Sequence, residues 1–186
     1  MGKGTDTVSE VNVRLHNAIV ATPGTVERAK LVAKTIFAPV GVNVQWRNNA
    51  SESAKSLLID MLLTAGDPAD DESGPLAEAF PFAGATGHIV VRYDRVRMAA
   101  GISRDLEPVL LGHVMVHEMT HVLQCLDRHS DSGVMKAHWT ADDYCDMRWK
   151  TLSFTEEDVA LLHLGIRTLQ SRPQNQMDAF HLEPMH

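Results

Sequence analysis

The sequence is poor in the features that mark several large classes of protein. It contains only two cysteines, Cys125 and Cys145, in 186 residues, so one disulfide is the most it allows, and the redox compartment is left undecided. No apolar run approaches the roughly 20 residues needed to cross a bilayer, and residues 1–6 lack the apolar core of a secretory signal. We therefore expect no membrane partner, while the localisation stays unknown.

Positively charged residues are fewer than negatively charged ones. There are 17 Lys and Arg against 24 Asp and Glu, which gives a net charge of −7, and no basic run stands out. This balance argues against a nucleic-acid partner. The apolar fraction of 44% and charged fraction of 22% are typical of a soluble globular protein with one core. We predict a single domain over residues 11–172, between a flexible N-terminus (1–10) and a C-terminal tail (173–186).

The N-terminal part of the chain predicts a strand, a helix and a second strand. Apolar and polar residues alternate in the first half of 11–20 and again over 42–46. Between them, residues 22–25 (Thr-Pro-Gly-Thr) form a helix-start signal, and apolar residues follow at helical spacing over 26–37. This order favours a parallel strand pair joined by a crossover helix.

The next segments predict two further strands around a loop. Residues 56–63 form an apolar run that fits a buried strand or a short helix, and analogy with the preceding unit favours the strand. Residues 65–81 are rich in Gly, Pro, Asp and Glu and predict a surface loop. Residues 84–87 then lead into a strand over 88–93.

The second half of the chain predicts two helices separated by irregular chain. After a connection over 95–104, an apolar run that follows Pro108 continues to Leu123, and Pro108 suits a first helical turn. Residues 127–149 show no regular pattern. Residues 155–158 (Thr-Glu-Glu-Asp) then start a helix over 159–169, which Pro173 ends.

The first of these helices contains an HExxH motif, His117-Glu118-Met119-Thr120-His121. In a helix, His117 and His121 lie one turn apart and about 40° from each other around the axis, so both imidazoles can reach one cation. Glu118 lies beside them, close enough to hold an activated water. This pattern is the zinc-hydrolase signature.

Catalytic zinc usually has three protein ligands, and the sequence leaves the third one open. His129 follows the motif closely, at a distance where a turning chain could bring it back beneath the metal, and Asp127 is two residues nearer. The other candidates are acidic residues further along the chain: Asp142, Asp143, Glu156 and Glu157.

The run HEMTHVLQCLDRHSDSGVM, residues 117–135, resembles the metzincin metallopeptidases. These share an HExxH helix, a nearby third ligand and a downstream turn with a Met beneath the metal, and residues 132–135 (Ser-Gly-Val-Met) resemble that turn. The run departs from the usual HExxHxxGxxH at two positions. Gln124 stands where the family has Gly, and Asp127 stands where it has its third His.

The resemblance implies an α+β fold of the zincin type: a small twisted mixed sheet with a crossover helix, an active-site HExxH helix and a C-terminal helix. It also implies zinc as the cofactor. The spacing is similar to that of small bacterial metzincin-like proteins, which favours His129 as the third ligand beside His117 and His121. Met135 would be the supporting Met of the turn, and Asp127 is the alternative ligand.

The implied function is that of a zinc-dependent endopeptidase. A zinc-activated water would attack the peptide bond, and Glu118 would act as the general base. The substrate would be a peptide or protein segment that pairs with an edge strand, for which residues 88–93 are the candidate, kept approachable by residues 84–87. Ala137 stands where astacin-type members have a tyrosine, so stabilisation of the oxyanion would come from elsewhere.

Three other interpretations stay open. The chain could be a gluzincin-type zinc hydrolase with Glu156 or Glu157 as the third ligand, a metal-binding module that cleaves nothing, or a protein without metal. His113 shares the helix face of the motif, where we expect it behind the ligands or at the surface. Cys125 is interpreted as a packed thiol or as a neighbour of the metal site.

Overall fold

A computed structural model describes residues 8–17, 21–47, 57–65, 74–80 and 86–171. The predictions made for residues 1–7, 18–20, 56, 66–73, 81, 84–85 and 172–186 lie outside the described residues. In chain order the elements are β1 (Ser9–Asn17), α1 (Pro23–Phe37), β2 (Val42–Arg47), β3 (Leu57–Thr64), β4 (Ala77–Phe80), β5 (Thr86–Arg92), α2 (Tyr93–Ala100), α3 (Leu106–Gln124), α4 (Ala141–Met147) and α5 (Glu156–Ser171).

The sheet is mixed and mostly parallel, with strand order β2-β1-β3-β5-β4. The predicted strand–helix–strand unit is confirmed, because β1 and β2 are parallel neighbours and α1 lies between them in the chain. Thr22 caps α1 by accepting a hydrogen bond from the backbone N–H of Thr25, and Pro23 follows it in the first turn. β1 begins at Ser9, two residues before the predicted start of the domain.

β4 is an antiparallel strand at the end of the sheet, and it changes two predictions. Residues 65–81 were predicted to be a loop, but Ala77–Phe80 pairs with β5 in the register Ala79 opposite Ile89. Residues 88–93 were also predicted to form the edge strand. This prediction is wrong, because these residues belong mostly to β5, which lies between β3 and β4. The last residue of the predicted strand, Tyr93, starts α2 instead.

The core lies between the sheet and the helices α1 and α3. The buried side chains of the central strands include Val11, Val13, Ile59, Met61, Ile89 and Val91, each at most 1% exposed. α1 crosses α3 closely, since a Cβ added at Gly112 would come within 2.8 Å of the carbonyl oxygen of Ala29. Every residue of α3 except Glu107 is buried, so this helix is enclosed on nearly all of its faces.

Two short helices occupy segments that were predicted to be irregular. α2 begins at Tyr93 and extends into the predicted connection 95–104, and it buries Tyr93, Val96 and Ala100 at helical spacing. α4 lies within 127–149 and starts with a capping box between Thr140 and Asp143. The C-terminal helix is confirmed as α5. No helix in the described part of the chain is both long and apolar enough to cross a membrane.

Candidate metal centre

The HExxH motif lies in the last two turns of α3, where His117 and His121 face each other. Their Nε2 atoms are 3.0 Å apart. The Nδ1 of His117 donates to the backbone carbonyl of Val134 over 2.9 Å, and the Nδ1 of His121 donates to that of Leu126 over 2.9 Å. Because a carbonyl can only accept, each Nδ1 carries the proton and each Nε2 presents a lone pair.

Burial keeps these two rings neutral. It lowers the pKa of His117 to about 4, although the hydrogen bond to Val134 opposes the shift, and it lowers the pKa of His121 as well. Two neutral imidazoles thus direct lone pairs at one another over 3.0 Å. A cation bound by both nitrogens removes this repulsion, so the donor set fits a zinc ion.

His129 is the third member of the group. Its ring stacks on that of His117, with centroids 5.2 Å apart, and stands edge-on to that of His121 at 4.9 Å. The ligand atoms of the three histidines lie within 4.8 Å of one another, and within the described residues this is the only group of three or more His, Cys, Asp or Glu side chains that could hold a metal ion. His129 is exposed while the other two are buried.

The backbone after α3 turns sharply, which brings His129 back towards the helix. Cys125 ends α3 with φ 53°, and it is the only non-glycine residue with a positive φ in the described part of the chain. The next amide, that of Leu126, donates to the carbonyl of His121. This left-handed residue directly follows Gln124, which stands where the metzincin pattern has Gly.

The segment that resembles a Met-turn forms a short 3-10 turn over Gly133–Met135. Gly133 has φ 76°, and a Cβ there would come within 2.2 Å of the carbonyl oxygen of Ser153, so this position requires glycine. Val134 donates its amide to the same carbonyl over 2.9 Å and offers its own carbonyl to His117. Met135 is fully buried.

The other predicted ligands lie apart from the histidines or are held by other partners. Asp127 is exposed and lines the cleft, but it does not belong to the histidine group. Glu157 forms an ion pair with Arg128 and has a side chain 67% exposed, and its neighbour Glu156 is exposed too. The thiol of Cys125 donates to a backbone carbonyl of α3.

A cleft of about 830 Å³ opens in front of the histidines, and Glu118 lies on its floor. Glu118 is only 8% exposed. Burial raises its pKa to about 7, and the negative charges of Glu78 and Asp127 act in the same direction. The cleft is also lined by residues 74–79, which lie before and within β4, by residues 136–139 and by Tyr144.

Two of the residues that line the cleft were not identified as candidate site residues from the sequence. Trp139 stands edge-on to His117, with ring centroids 5.7 Å apart. Tyr144 reaches the cleft from α4, and burial raises the pKa of its phenol. The Thr140-x-x-Asp143 capping pattern was the sequence signal for a helix here, and it would have indicated that Tyr144 lies on an ordered element.

His113 is a structural residue behind the site. It is fully buried, its Nδ1 donates to the carbonyl of Val109 over 2.8 Å, and its Nε2 accepts the amide of Leu152 over 3.0 Å. Both ring nitrogens are satisfied, and burial lowers its pKa. The side chain thus joins α3 to the chain that precedes α5.

In comparisons with known proteins, the fold resembles that of archaemetzincin from Methanopyrus kandleri, as seen in its crystal structure. The TM-score is 0.54 with 13% sequence identity, and the match covers 90% of this chain and 99% of that chain. No family model matches the sequence, and no curated protein matches it either. At this identity the likeness is one of fold.

Proposed function

We propose that the chain is a zinc-dependent endopeptidase whose ligands are His117, His121 and His129. The observation that carries this proposal is that the Nε2 lone pairs of His117 and His121 face each other. A backbone carbonyl fixes each ring through its Nδ1, and the imidazole of His129 lies beside them in the cleft. Structural sites usually surround zinc with four protein ligands, whereas catalytic sites use three. The likeness in fold to an archaemetzincin agrees with this choice.

The roles of the residues follow from their positions. Zinc in such a site lowers the pKa of water towards neutrality and polarises a carbonyl. Glu118 is the residue beside the histidines that can accept a proton from the attacking water and later donate it to the leaving amine. The carbonyls of Val134 and Leu126 keep His117 and His121 in the orientation and tautomer that ligation needs.

We assign substrate binding to the outer edge of β4. β4 is the last strand of the sheet among the described residues, and it lines the cleft in front of Glu118. An extended peptide laid along this edge would gain backbone hydrogen bonds, and its side chains would alternate between the cleft and the solvent. Glu78 of β4 lines the cleft, and its carboxylate is held by an ion pair with Arg92 of β5 at 3.3 Å.

A direct test compares Glu118→Gln with the unmodified protein on a broad peptide library, with the zinc content of each measured. We expect the substitution to abolish cleavage and leave zinc bound, because Glu118 is not a ligand. Glu156→Gln is the matched control, and it should retain both properties because its side chain is exposed on α5. Unchanged hydrolysis by the Glu118 variant would refute the proposal.

The ligand set is tested separately with His129→Ala, Asp127→Asn and Glu157→Gln. We expect only the first to lose zinc. Zinc lost from the Glu157 variant and kept by the His129 variant would instead support the gluzincin-type alternative. Zinc bound by the unmodified protein without cleavage of any peptide would support a metal-binding module.

A further inference from the structure

Asp158 is fully buried although it lies in the first turn of α5. The two residues before it, Glu156 and Glu157, are exposed, as is usual for acidic residues at a helix start. A buried carboxylate is costly unless it is paired and hydrogen-bonded. The hydrogen bonds that it receives therefore indicate what it holds in place.

One carboxylate oxygen of Asp158 serves the helix start. Its Oδ2 accepts from the backbone N–H of Thr155 at 3.0 Å and from the Thr155 hydroxyl at 2.7 Å, while its own amide donates to that hydroxyl at 3.1 Å. This is a capping box. It needs only one oxygen and does not require burial.

The other oxygen binds the segment that carries the proposed third ligand. Oδ1 accepts from Ser130 Oγ at 2.5 Å and from the guanidinium of Arg128 at 3.0 Å. These two residues are the immediate neighbours of His129 on either side. Burial by itself would raise the pKa of Asp158, but the hydrogen bonds from Ser130, Thr155 and Arg128 outweigh it and hold the pKa below its ordinary value.

Apart from its ring contacts with His117 and His121, the exposed side chain of His129 has few interactions that fix its position. Its two partners in the group are each fixed by a hydrogen bond from Nδ1 to a backbone carbonyl, whereas no such bond is found for His129 among the described residues. Its position thus depends on the backbone of 128–130. That backbone is tied to the 3-10 turn through the amide of Ser130, which donates to the carbonyl of Met135. It is tied to α5 through the buried Oδ1 of Asp158 and, at the exposed surface, through the ion pair of Arg128 with Glu157.

We propose that Asp158 is a positioning residue that keeps His129 within reach of the metal by binding the residues on both sides of it. The proposal rests on the zinc site proposed above. It makes α5 the element that sets the geometry of the third ligand. Partners of this kind typically change metal affinity by about 10–100-fold when they are mutated.

The packing of α5 on α3 does not depend on this carboxylate. Leu162 and Ile166 are buried in the interface, and a Cβ added at Gly165 would lie 2.1 Å from the carbonyl oxygen of Leu123. The side-chain amide of Gln124 also donates to the backbone carbonyl of Asp158. A change limited to the carboxylate should therefore leave the helices in contact.

The test measures zinc affinity by chelator competition in Asp158→Asn. The amide group of asparagine cannot accept from both Ser130 and Arg128 while its oxygen keeps the cap of α5. We expect the zinc Kd to rise about 10–100-fold. Glu157→Gln is the matched control, since Glu157 bonds to the same Arg128 but at the exposed surface, and we expect its Kd to stay within about twofold of the unmodified protein.

Two further measurements separate positioning from a general effect on the fold. In a His129→Ala background, Asp158→Asn should change zinc affinity no further, because the ligand that it positions is gone. With cobalt(II) in place of zinc, the visible spectrum of Asp158→Asn should shift towards that of His129→Ala. Ser130→Ala keeps the carboxylate and the helix cap, so it should fold even if Asp158→Asn does not, and its Kd should also rise.

The inference is overturned if zinc affinity is unchanged in both Asp158→Asn and Ser130→Ala. It is equally overturned if Asp158→Asn weakens binding by the same factor with and without His129. In either case the proposed function stands as long as the unmodified protein binds zinc and cleaves peptides. A protein that binds no zinc at all would instead refute the proposed function itself, together with this inference.

Discussion

Gly165→Ala should destabilise the protein, because α3 and α5 touch at this glycine. The new Cβ would lie 2.1 Å from the carbonyl oxygen of Leu123 and 2.7 Å from the Cα of Gln124. Both are backbone atoms at the end of the HExxH helix, so no side chain can rotate away. The helices must separate by about 1 Å, which loosens the packing of the buried Leu162 and Ile166.

The magnitude combines two opposing effects. Overpacking of a rigid core costs about 3 kcal/mol at the upper end of its usual range, while alanine inside a helix is favoured over glycine by about 1 kcal/mol. We therefore expect a net loss of about 2 kcal/mol in the free energy of unfolding. For a chain of this length the corresponding fall in Tm is about 4–8 °C.

The assay is chemical and thermal denaturation beside a matched control. Gly24→Ala makes the same substitution in α1, where the nearest atom to the new Cβ is 4.0 Å away. The control should gain up to about 1 kcal/mol. If Gly165→Ala were as stable as the unmodified protein, or gained stability as Gly24→Ala does, α5 would not pack on α3 as closely as described.

Three further predictions concern the surroundings of the site. His113→Leu should cost about 1–3 kcal/mol in denaturation, because it leaves the buried amide of Leu152 without its acceptor; an unchanged midpoint would contradict the pairing. Gly133→Ala should cost at least about 1–2 kcal/mol, since φ there is 76° and a backbone carbonyl blocks the Cβ, and it should also raise the zinc Kd; both values unchanged would refute this. The pKa of Asp158 is lowered in the fold, so its contribution to stability is present above the unfolded pKa of about 3.9 and is lost as the pH falls below it. Acid titration should therefore show a steeper loss of stability in the unmodified protein than in Asp158→Asn, and parallel curves would contradict the lowered pKa of Asp158.

The first unit of the fold could be predicted because its signals are local. Alternation over 11–20 and 42–46, together with the Thr-Pro start of α1, predicted the parallel pair and its crossover helix. β4 could not be predicted in this way. It has four residues inside a segment rich in Gly, Pro and acidic residues, and it is a strand because β5 supplies its hydrogen bonds, which no local pattern records.

The same distinction between local sequence signals and contacts made by the fold applies to the candidate site. Helical spacing predicted that His117 and His121 would meet, and the resemblance to the metzincins favoured His129 over Asp127 as the third member. The structure brings these three histidines together, and their ligation of zinc stays a prediction. Asp158 and Tyr144 reach the site from α5 and α4, 29 and 15 residues after His129. Their contribution depends on how those helices pack, and a sequence motif cannot show this.

β4 is the end strand of the sheet among the described residues, and this position bears on association between two copies of the chain. An end strand presents unpaired backbone groups, which are a template for pairing with another copy of the chain. β4 spans only Ala77–Phe80 and carries the charged Glu78 in its middle, and both features weaken pairing between two such edges. Under the proposed function, this short edge would accept a single extended peptide whose side chains the cleft binds, and it would discriminate that substrate from a second copy of the protein.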